Sequence, residues 1–222
     1  MSDYTRNLTF HVNDLGSEGA LVLLFEAPYG AEGGFPIAWK VIPFQAGGYY
    51  EVPVTYNNKP RFGRPQVAQD IVSDAVGVNL NPNERTDLTE NNGLFQFSVP
   101  QFVSGIGGAI QCRNLTNAVQ EIGIDSCTGI DQSFSGFDSG SWTSNITFYW
   151  DGVGSGSTIS AQFKPVLKAY VTTDYKQNAI IRRPIEFPVI WQQDLSTLPT
   201  NSSFTFSRDP GTGDYTLVRD DN

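Results

Sequence analysis

Apolar and polar residues alternate at period two over several short stretches of the chain, and two of these stretches resemble each other. Residues 8–21 read LTFHVNDLGSEGAL and residues 146–159 read ITFYWDGVGSGSTI. In each, three alternating apolar side chains precede a Gly-Ser loop, and a second apolar stretch follows. Because successive side chains of a strand point to opposite faces, each trio predicts a strand with one buried face. The two stretches therefore predict two hairpin-like strand pairs.

A second similarity extends the first. Residues 35–39 read FPIAW and residues 187–191 read FPVIW. Each predicts a strand that starts near a proline, where no ladder hydrogen bond is required from the backbone. Together the two similarities predict an internal pseudo-repeat of residues 8–60 and 146–207.

The second strands of the two copies differ in polarity. Residues 20–25 read ALVLLF and are apolar on both faces, whereas Ser160 and Gln162 make one face of the later strand polar. A strand that is apolar on both faces normally lies at the centre of a sheet or between packed layers. We therefore expect the first copy to be buried more deeply than the second.

Further alternating stretches predict strands along the rest of the chain. Gly, Pro, Asn and Asp separate them at intervals of roughly 8–12 residues, which is typical of β-sandwiches and barrels. The additional predicted strands are residues 49–56, 94–99, 109–113, 166–173, 203–206 and 215–218. We predict an all-β fold, a single-domain antiparallel β-sandwich of residues 1–222, with a frayed tail at residues 219–222.

Three segments depart from this pattern. Residues 80–93 and 123–141 are rich in polar residues and glycine, and they predict connections at the surface. One segment has apolar residues at helical spacing and predicts a short helix. Those residues are Val67, Ile71, Val72, Ala75 and Val76.

Charge and hydropathy restrict the partners. The formal charge of the 222-residue chain is −9, which argues against nucleic acid, because phosphate binding requires a basic face. The chain has no run of about 18 apolar residues, so the sequence predicts no transmembrane segment. The first residues lack the basic start and apolar run of a signal peptide. We therefore expect a cytoplasmic protein.

Few residues are suited to catalysis. His11 is the single histidine, which limits histidine-based zinc sites and nucleophile–histidine pairs. Its place in the alternation predicts an exposed strand residue. None of the many carboxylate pairs is singled out for glycoside hydrolysis. The sequence therefore favours a protein that is not an enzyme.

Two further groups of residues have the chemistry of metal or redox sites. Asp125, Asp131 and Asp138 lack the alternating spacing of an EF-hand loop, so we interpret them as solvated turn residues and predict no metal. Cys112 and Cys127 could form a disulfide only if their Cα atoms lay within about 7 Å. Two free, partly buried thiols are the favoured interpretation in a cytoplasmic protein.

Aromatic residues are abundant, with 15 Phe, 9 Tyr and 4 Trp. Trp39 and Trp191 are expected to fill the core. Tyr149 and Trp150 precede a glycine-rich loop, and Trp142 lies in a stretch rich in Ser and Gly. Rings beside loops can stack on a flat ligand or on a sugar. These three residues are the predicted ligand-binding residues: Trp142, Tyr149 and Trp150.

In length, acidity and all-β character, the chain resembles the soluble all-β proteins of mushroom fruiting bodies. Among those proteins it is most similar to the pink chromoproteins of oyster mushrooms. The resemblance covers the overall character of the whole chain and not a particular motif. It implies a non-catalytic protein that holds a small organic chromophore of the indolone type without a covalent bond.

The leading functional hypothesis is a non-catalytic protein that binds a small, flat, largely apolar molecule such as a pigment. The first alternative is a lectin, in which Trp or Tyr stacks on a glycan while Asp and Asn bind its hydroxyl groups. The second is a lipid-binding or pore-forming module, which the negative charge disfavours because anionic membranes would repel it.

Overall fold

The computed structural model describes residues 4–125 and 146–220. The described residues form eighteen strands and one 3₁₀ turn, Leu195–Thr197. The strands are β1 Thr5–Asn13, β2 Gly19–Phe25, β3 Phe35–Pro36, β4 Lys40–Phe44, β5 Tyr49–Asn57, β6 Arg61–Ala68, β7 Ile71–Asn79, β8 Glu84–Asn91, β9 Leu94–Phe97, β10 Gln101–Phe102, β11 Ile110–Asn114, β12 Gln120–Asp125, β13 Ile146–Val153, β14 Thr158–Ala161, β15 Val166–Val171, β16 Trp191–Asp194, β17 Asn201–Arg208 and β18 Tyr215–Arg219. The all-β, sandwich-like fold predicted from the sequence is confirmed.

Two four-stranded sheets form the first sandwich. Sheet A has the strand order β18-β17-β1-β5, and sheet B has the order β16-β15-β2-β4. Their alternating apolar side chains meet in a first core, where Phe10 of β1 stacks on Phe204 of β17 with ring centroids 5.7 Å apart. The pairing of β1 with β17 is parallel, which the sequence does not indicate.

Two five-stranded sheets form the second sandwich. Sheet C has the order β3-β13-β12-β6-β7, and sheet D has the order β10-β8-β11-β14, with β9 also paired to β8. Between them lies a second core that includes Phe62, Ile122 and Phe148. Strands β6 to β14, which form nearly all of this sandwich, lie in the sequence between β5 and β15 of the first sandwich. The first sandwich is thus built from the two ends of the described chain.

Two short segments connect the sandwiches. Ile37 donates its amide hydrogen to Thr147 O of β13 at 3.1 Å, and Ala38 donates to Ala179 O at 2.9 Å. Ile37 and Ile180 form an isolated bridge and are both buried. The single-domain interpretation stays a prediction, and these buried contacts are the ones on which it depends.

The two similar stretches of the sequence form equivalent structures, but neither is a hairpin. β1 lies in sheet A and β2 in the facing sheet B, while β13 lies in sheet C and β14 in the facing sheet D. Each pair is therefore an arch that crosses its own sandwich. The hairpin prediction is wrong because the two strands of each pair lie in facing sheets. Their apolar side chains meet across the core between those sheets, whereas the strands of a hairpin would lie side by side in one sheet.

Beyond these arches the pseudo-repeat of residues 8–60 and 146–207 has no structural counterpart. Strands β15 to β17 of the second copy return to the first sandwich. The two FP motifs also differ, because Ile37 is fully buried whereas Val189, at the equivalent position, is 44% exposed. The shared feature is the tryptophan, because Trp39 lies in the first core and Trp191 packs against it, as the sequence predicts.

Strand β2 is buried on both of its faces, as its sequence predicts. Leu21 and Leu23 point into the first core, and Val22 on the opposite face packs against Ala38 and Ile181. In the second copy Ile159 and Ala161 are buried, whereas Ser160 between them is only half-buried. The deeper burial of the first copy is confirmed for its second strand only, because residues 146–150 of β13 are all buried whereas β1 alternates between buried and more exposed residues.

Two local predictions are wrong. The segment predicted as a helix forms the β6–β7 hairpin, whose turn residues Gln69 and Asp70 have φ angles of 52° and 59°. Positive φ at both central positions is typical of the tight turns that connect antiparallel strands. The polar connection predicted for residues 80–93 contains β8, in which Thr86 and Leu88 are fully buried between polar neighbours.

The predicted tail is partly ordered. Arg219 belongs to β18, and Asp220 donates its amide hydrogen to Ser203 O at 2.9 Å. The side chain of Asp220 also accepts a hydrogen bond from Thr205 at 2.7 Å. Residues 221 and 222 lie outside the described part of the chain.

Candidate functional site

A cleft of about 330 Å³ lies where the two sandwiches meet, and it is called the inter-sandwich cleft below. The first sandwich contributes Tyr4, Tyr56 and Phe163 to its walls, and the second contributes Leu80 and Ile110. The remaining lining residues are Asn58, Lys59, Pro60, Asn81, Pro82, Gly107, Gly108, Ala161, Gln162 and Pro165. Its size and mostly apolar lining are those of a small-molecule site.

An aromatic cluster forms the wall contributed by the first sandwich. The ring centroids of Tyr4 and Tyr56 are 6.1 Å apart, and Tyr56 lies 5.5 Å from Phe25. Phe25 contacts Phe163 at 5.3 Å and Trp39 at 4.9 Å. Such tilted and edge-on arrangements are the ones that aromatic rings prefer. The wall is therefore backed by packed rings of the first core.

Reciprocal hydrogen bonds fix Tyr4 at the cleft. The Tyr4 amide donates to Asn58 Oδ1 at 2.6 Å, and the Asn58 amide donates to Tyr4 O at 3.2 Å. On the opposite side, Gln162 exchanges two backbone hydrogen bonds with Tyr29, at 3.0 and 3.1 Å. The backbone on both sides is thus held by hydrogen bonds.

The environment of Tyr4 combines burial with a nearby cation. The Arg6 guanidinium lies 4.2 Å from the centroid of the Tyr4 ring, within the range of a cation–π contact. Burial raises the pKa of the Tyr4 phenol, and a hydrogen bond with Tyr56 together with the charge of Arg6 acts in the opposite direction. The phenol therefore remains protonated at neutral pH and can donate a hydrogen bond.

Tyr149, one of the predicted ligand-binding residues, is buried between the two sandwiches. It packs with Ile37 and Ile180, and its hydroxyl donates to Glu121 Oε1 at 2.9 Å. Burial, followed by this hydrogen bond, raises the pKa of the Tyr149 phenol. Tyr149 does not line the inter-sandwich cleft.

Trp150 lies on the opposite face of β13, in the second core. Its ring meets Phe148 edge-on at 5.0 Å, and its indole nitrogen donates to Glu32 O at 3.3 Å. The ring also borders a second cleft, of about 390 Å³, between two glycine-containing segments. Its polar lining residues are Glu32, Asp151, Ser157, Thr158 and Ser160. This glycine-loop cleft is thus separate from the inter-sandwich cleft.

Some of the residues singled out in the sequence lie outside residues 4–125 and 146–220, which the structure describes. Trp142, Cys127, Asp131 and Asp138 lie outside the described residues. Asp125 is buried and lies 3.8 Å from the guanidinium of Arg61, so it is not the solvated turn residue that the sequence predicts. Cys112 is a free thiol in the second core.

His11 lies on the outer face of sheet A. Its Nδ1 is 3.0 Å from the Tyr49 hydroxyl and 3.3 Å from Glu51 Oε1, and its Nε2 is 3.7 Å from Asp220 Oδ2. The side chain is 22% exposed, so it is more enclosed than its place in the alternation predicts. Among the described residues, no cluster of three or more His, Cys, Asp or Glu could hold a metal ion.

The sequence missed the residues of the inter-sandwich cleft because they come from distant segments. Tyr4 directly precedes β1, Tyr56 is the penultimate residue of β5 and Phe163 lies two residues after the end of β14. The loop before β11 gave a partial signal, since Gly107 and Gly108 have φ angles of 63° and 86° and form part of the rim. Clustered glycines indicate an unusual backbone path but not a ligand.

Comparison with protein-family models, with curated proteins and with solved structures finds no match for this chain. Function must therefore be argued from the geometry of its sites. Within the two described ranges, no helix is long and apolar enough to span a membrane.

Proposed function

We propose that this protein is a non-catalytic binding protein that holds a small, flat, largely apolar molecule in the inter-sandwich cleft. The observation that carries this proposal is the wall formed by Tyr4, Tyr56 and Phe163 opposite the aliphatic side chains of the second sandwich. A pigment is one molecule of this class, and the resemblance to the pink chromoproteins supports it. The predicted ligand-binding role of Trp142, Tyr149 and Trp150 is not part of this proposal.

The dimensions of the cleft support a compact ligand. A volume of about 330 Å³ is at the lower end of the range for small-molecule sites and suits a molecule of one or two fused rings. Because Phe25 and Trp39 pack behind Tyr56 and Phe163, the wall is formed before a ligand arrives. A preformed wall reduces the entropy that is lost on binding.

The proposal is tested by searching for the natural ligand and by binding a neutral probe. The protein is purified from its native source, its absorption spectrum is recorded, and an organic extract is analysed by mass spectrometry. In parallel, naphthalenemethanol is titrated into the recombinant protein by calorimetry. We expect a stoichiometric extracted compound and saturable binding at one site.

A matched pair of variants locates the binding. Phe163→Ala removes a ring from the cleft and should weaken naphthalenemethanol binding by tenfold or more, since a buried ring contributes a few kcal/mol and about 1.4 kcal/mol is a factor of ten. Phe97→Ala removes a half-buried ring that packs on the second core away from the cleft and should leave binding unchanged. Absence of both an extracted ligand and probe binding would refute the proposal.

Carbohydrate binding is the second candidate, and the glycine-loop cleft supports it. The hydroxyl groups of Ser157, Thr158 and Ser160 and the carboxylate of Asp151 line that cleft, and such groups bind sugar hydroxyls. The Trp150 ring is almost completely buried and offers little surface for stacking, which makes this candidate weaker. A glycan array tests it, with Thr158→Val expected to abolish any signal.

A further inference from the structure

The charges around the inter-sandwich cleft differ from those of the whole chain. The chain has 23 Asp and Glu residues and a net charge of −9, yet none of the described residues that line the cleft is acidic, and Lys59 contributes an ammonium group. Glu84 lies behind the lining, where it accepts hydrogen bonds from the backbone and side chain of Asn81 at 2.7 and 3.1 Å. Among the described residues, the lining of the cleft therefore includes one cationic side chain and no acidic one.

Two tyrosine hydroxyls meet at the same wall. Tyr56 is fully buried, and its hydroxyl shares a hydrogen bond with that of Tyr4. Because Tyr4 lines the cleft and its phenol is protonated, its hydroxyl is placed to donate a hydrogen bond to an acceptor there.

The neighbours of Tyr4 affect its strength as a donor. The Arg6 guanidinium at 4.2 Å from its ring makes the phenol a stronger hydrogen-bond donor, and the charge of Asp194 acts in the opposite direction. Arg6 is held in place by hydrogen bonds to Leu195 O and Ser196 O at 3.0 and 3.2 Å. Asp194 already accepts hydrogen bonds from Ser196, at 2.9 and 2.6 Å.

We infer that the ligand of the inter-sandwich cleft is an aromatic carboxylate, whose ring packs between Phe163 and the aliphatic wall and whose carboxylate accepts a hydrogen bond from Tyr4 beside Lys59. This inference rests on the proposed function, because it specifies the ligand of the same cleft. A carboxylate suits the two donors, since hydrogen bonds to charged acceptors are about twice as strong as neutral ones. An aromatic amine would find no carboxylate partner among the lining residues.

Three probes of one ring size test the inference: naphthoate, naphthalenemethanol and naphthylmethylamine, each titrated by calorimetry at neutral pH. We expect naphthoate to bind about tenfold more tightly than the alcohol, and the amine to bind most weakly, because one charge-assisted hydrogen bond exceeds a neutral one by about 1.4 kcal/mol. Equal affinities for the three probes would overturn the inference and leave the proposed function intact. Failure of all three to bind would overturn both.

Variants assign the two donors. Tyr4→Phe should reduce naphthoate affinity about tenfold while leaving naphthalenemethanol within about twofold, and Lys59→Met should reduce naphthoate affinity severalfold. The control Tyr50→Phe removes a hydroxyl outside the cleft, which donates to Pro43 O at 3.3 Å, and should change neither affinity. An unchanged preference for naphthoate in both Tyr4→Phe and Lys59→Met would overturn the assignment.

Discussion

Tyr4 and Asn58 hold each other at the mouth of the inter-sandwich cleft through two hydrogen bonds, one to a side chain and one between backbones. The Tyr4 amide reaches Asn58 Oδ1 at 2.6 Å, and the Asn58 amide reaches Tyr4 O at 3.2 Å. The two residues are 54 positions apart in the chain. A side chain that lies near the start of the chain is thereby positioned by the turn after β5.

We predict that Asn58→Ala weakens both the fold and probe binding. Loss of Oδ1 leaves the Tyr4 amide without this acceptor, so the free energy of unfolding should fall by about 1 kcal/mol. Naphthalenemethanol affinity should fall severalfold, because Tyr4 is no longer fixed against the cleft. Urea denaturation and calorimetry measure the two effects. Asn201→Ala, which removes an exposed hydrogen bond to Asn7, should not alter probe binding.

Gly123→Ala should destabilise the second sandwich. A Cβ atom at Gly123 would lie 2.7 Å from Ile146 Cγ2, because an irregularity in the β12–β13 pairing places Ile146 over this glycine. Overpacking of this kind costs about 1–3 kcal/mol. Gly152→Ala is the matched control in the same sandwich, since no atom lies within 4 Å of its added Cβ. Thermal unfolding measures the stability of both variants, and equal melting temperatures would contradict the prediction that only Gly123→Ala is destabilising.

Asn114→Ala should be the most damaging polar substitution considered. Asn114 is fully buried, and its side chain donates to Ala118 O and Val153 O, both at 2.8 Å, while it accepts two hydrogen bonds from Thr116 at 2.8 and 2.9 Å. Its removal leaves several buried groups without hydrogen-bond partners and should lower the free energy of unfolding by about 3 kcal/mol. Urea denaturation measures the loss. A cost as small as that of Asn201→Ala would show that water replaces these bonds.

Stability should fall at alkaline pH because of Cys112. Burial, followed by the charge of Asp87, raises the pKa of the Cys112 thiol in the folded protein. Above about pH 8.5, the ordinary pKa of a thiol, the unfolded chain therefore binds fewer protons than the folded one, and the free energy of unfolding decreases as pH rises. In a Cys127→Ser background, Cys112→Ala should flatten this dependence between neutral and alkaline pH. If the free energy of unfolding falls with pH equally steeply with and without Cys112, groups other than this thiol cause the loss of stability.

Period-two alternation was sufficient to predict the fold class and most strands. β5, β11, β15 and β18 begin and end within about two residues of their predicted positions, because a half-buried strand requires this pattern. The pattern failed at β8, where Thr86 takes an inward position that an apolar residue usually occupies. Its hydroxyl is satisfied by a hydrogen bond to Ser98 O at 2.9 Å, a compensation that cannot be recognised from composition.

The sequence by itself determined that this protein consists of strands, that β2 is buried on both faces, and that two similar stretches form similar units. Only the tertiary structure decided that these units are arches, that the apolar residues divide into two cores, and that Tyr4, Tyr56 and Phe163 line one cleft. Alternation specifies which face of a strand avoids water, because that depends on each side chain alone. Which strands face each other depends on contacts between residues far apart in the chain, and the pattern within one segment carries no information about them.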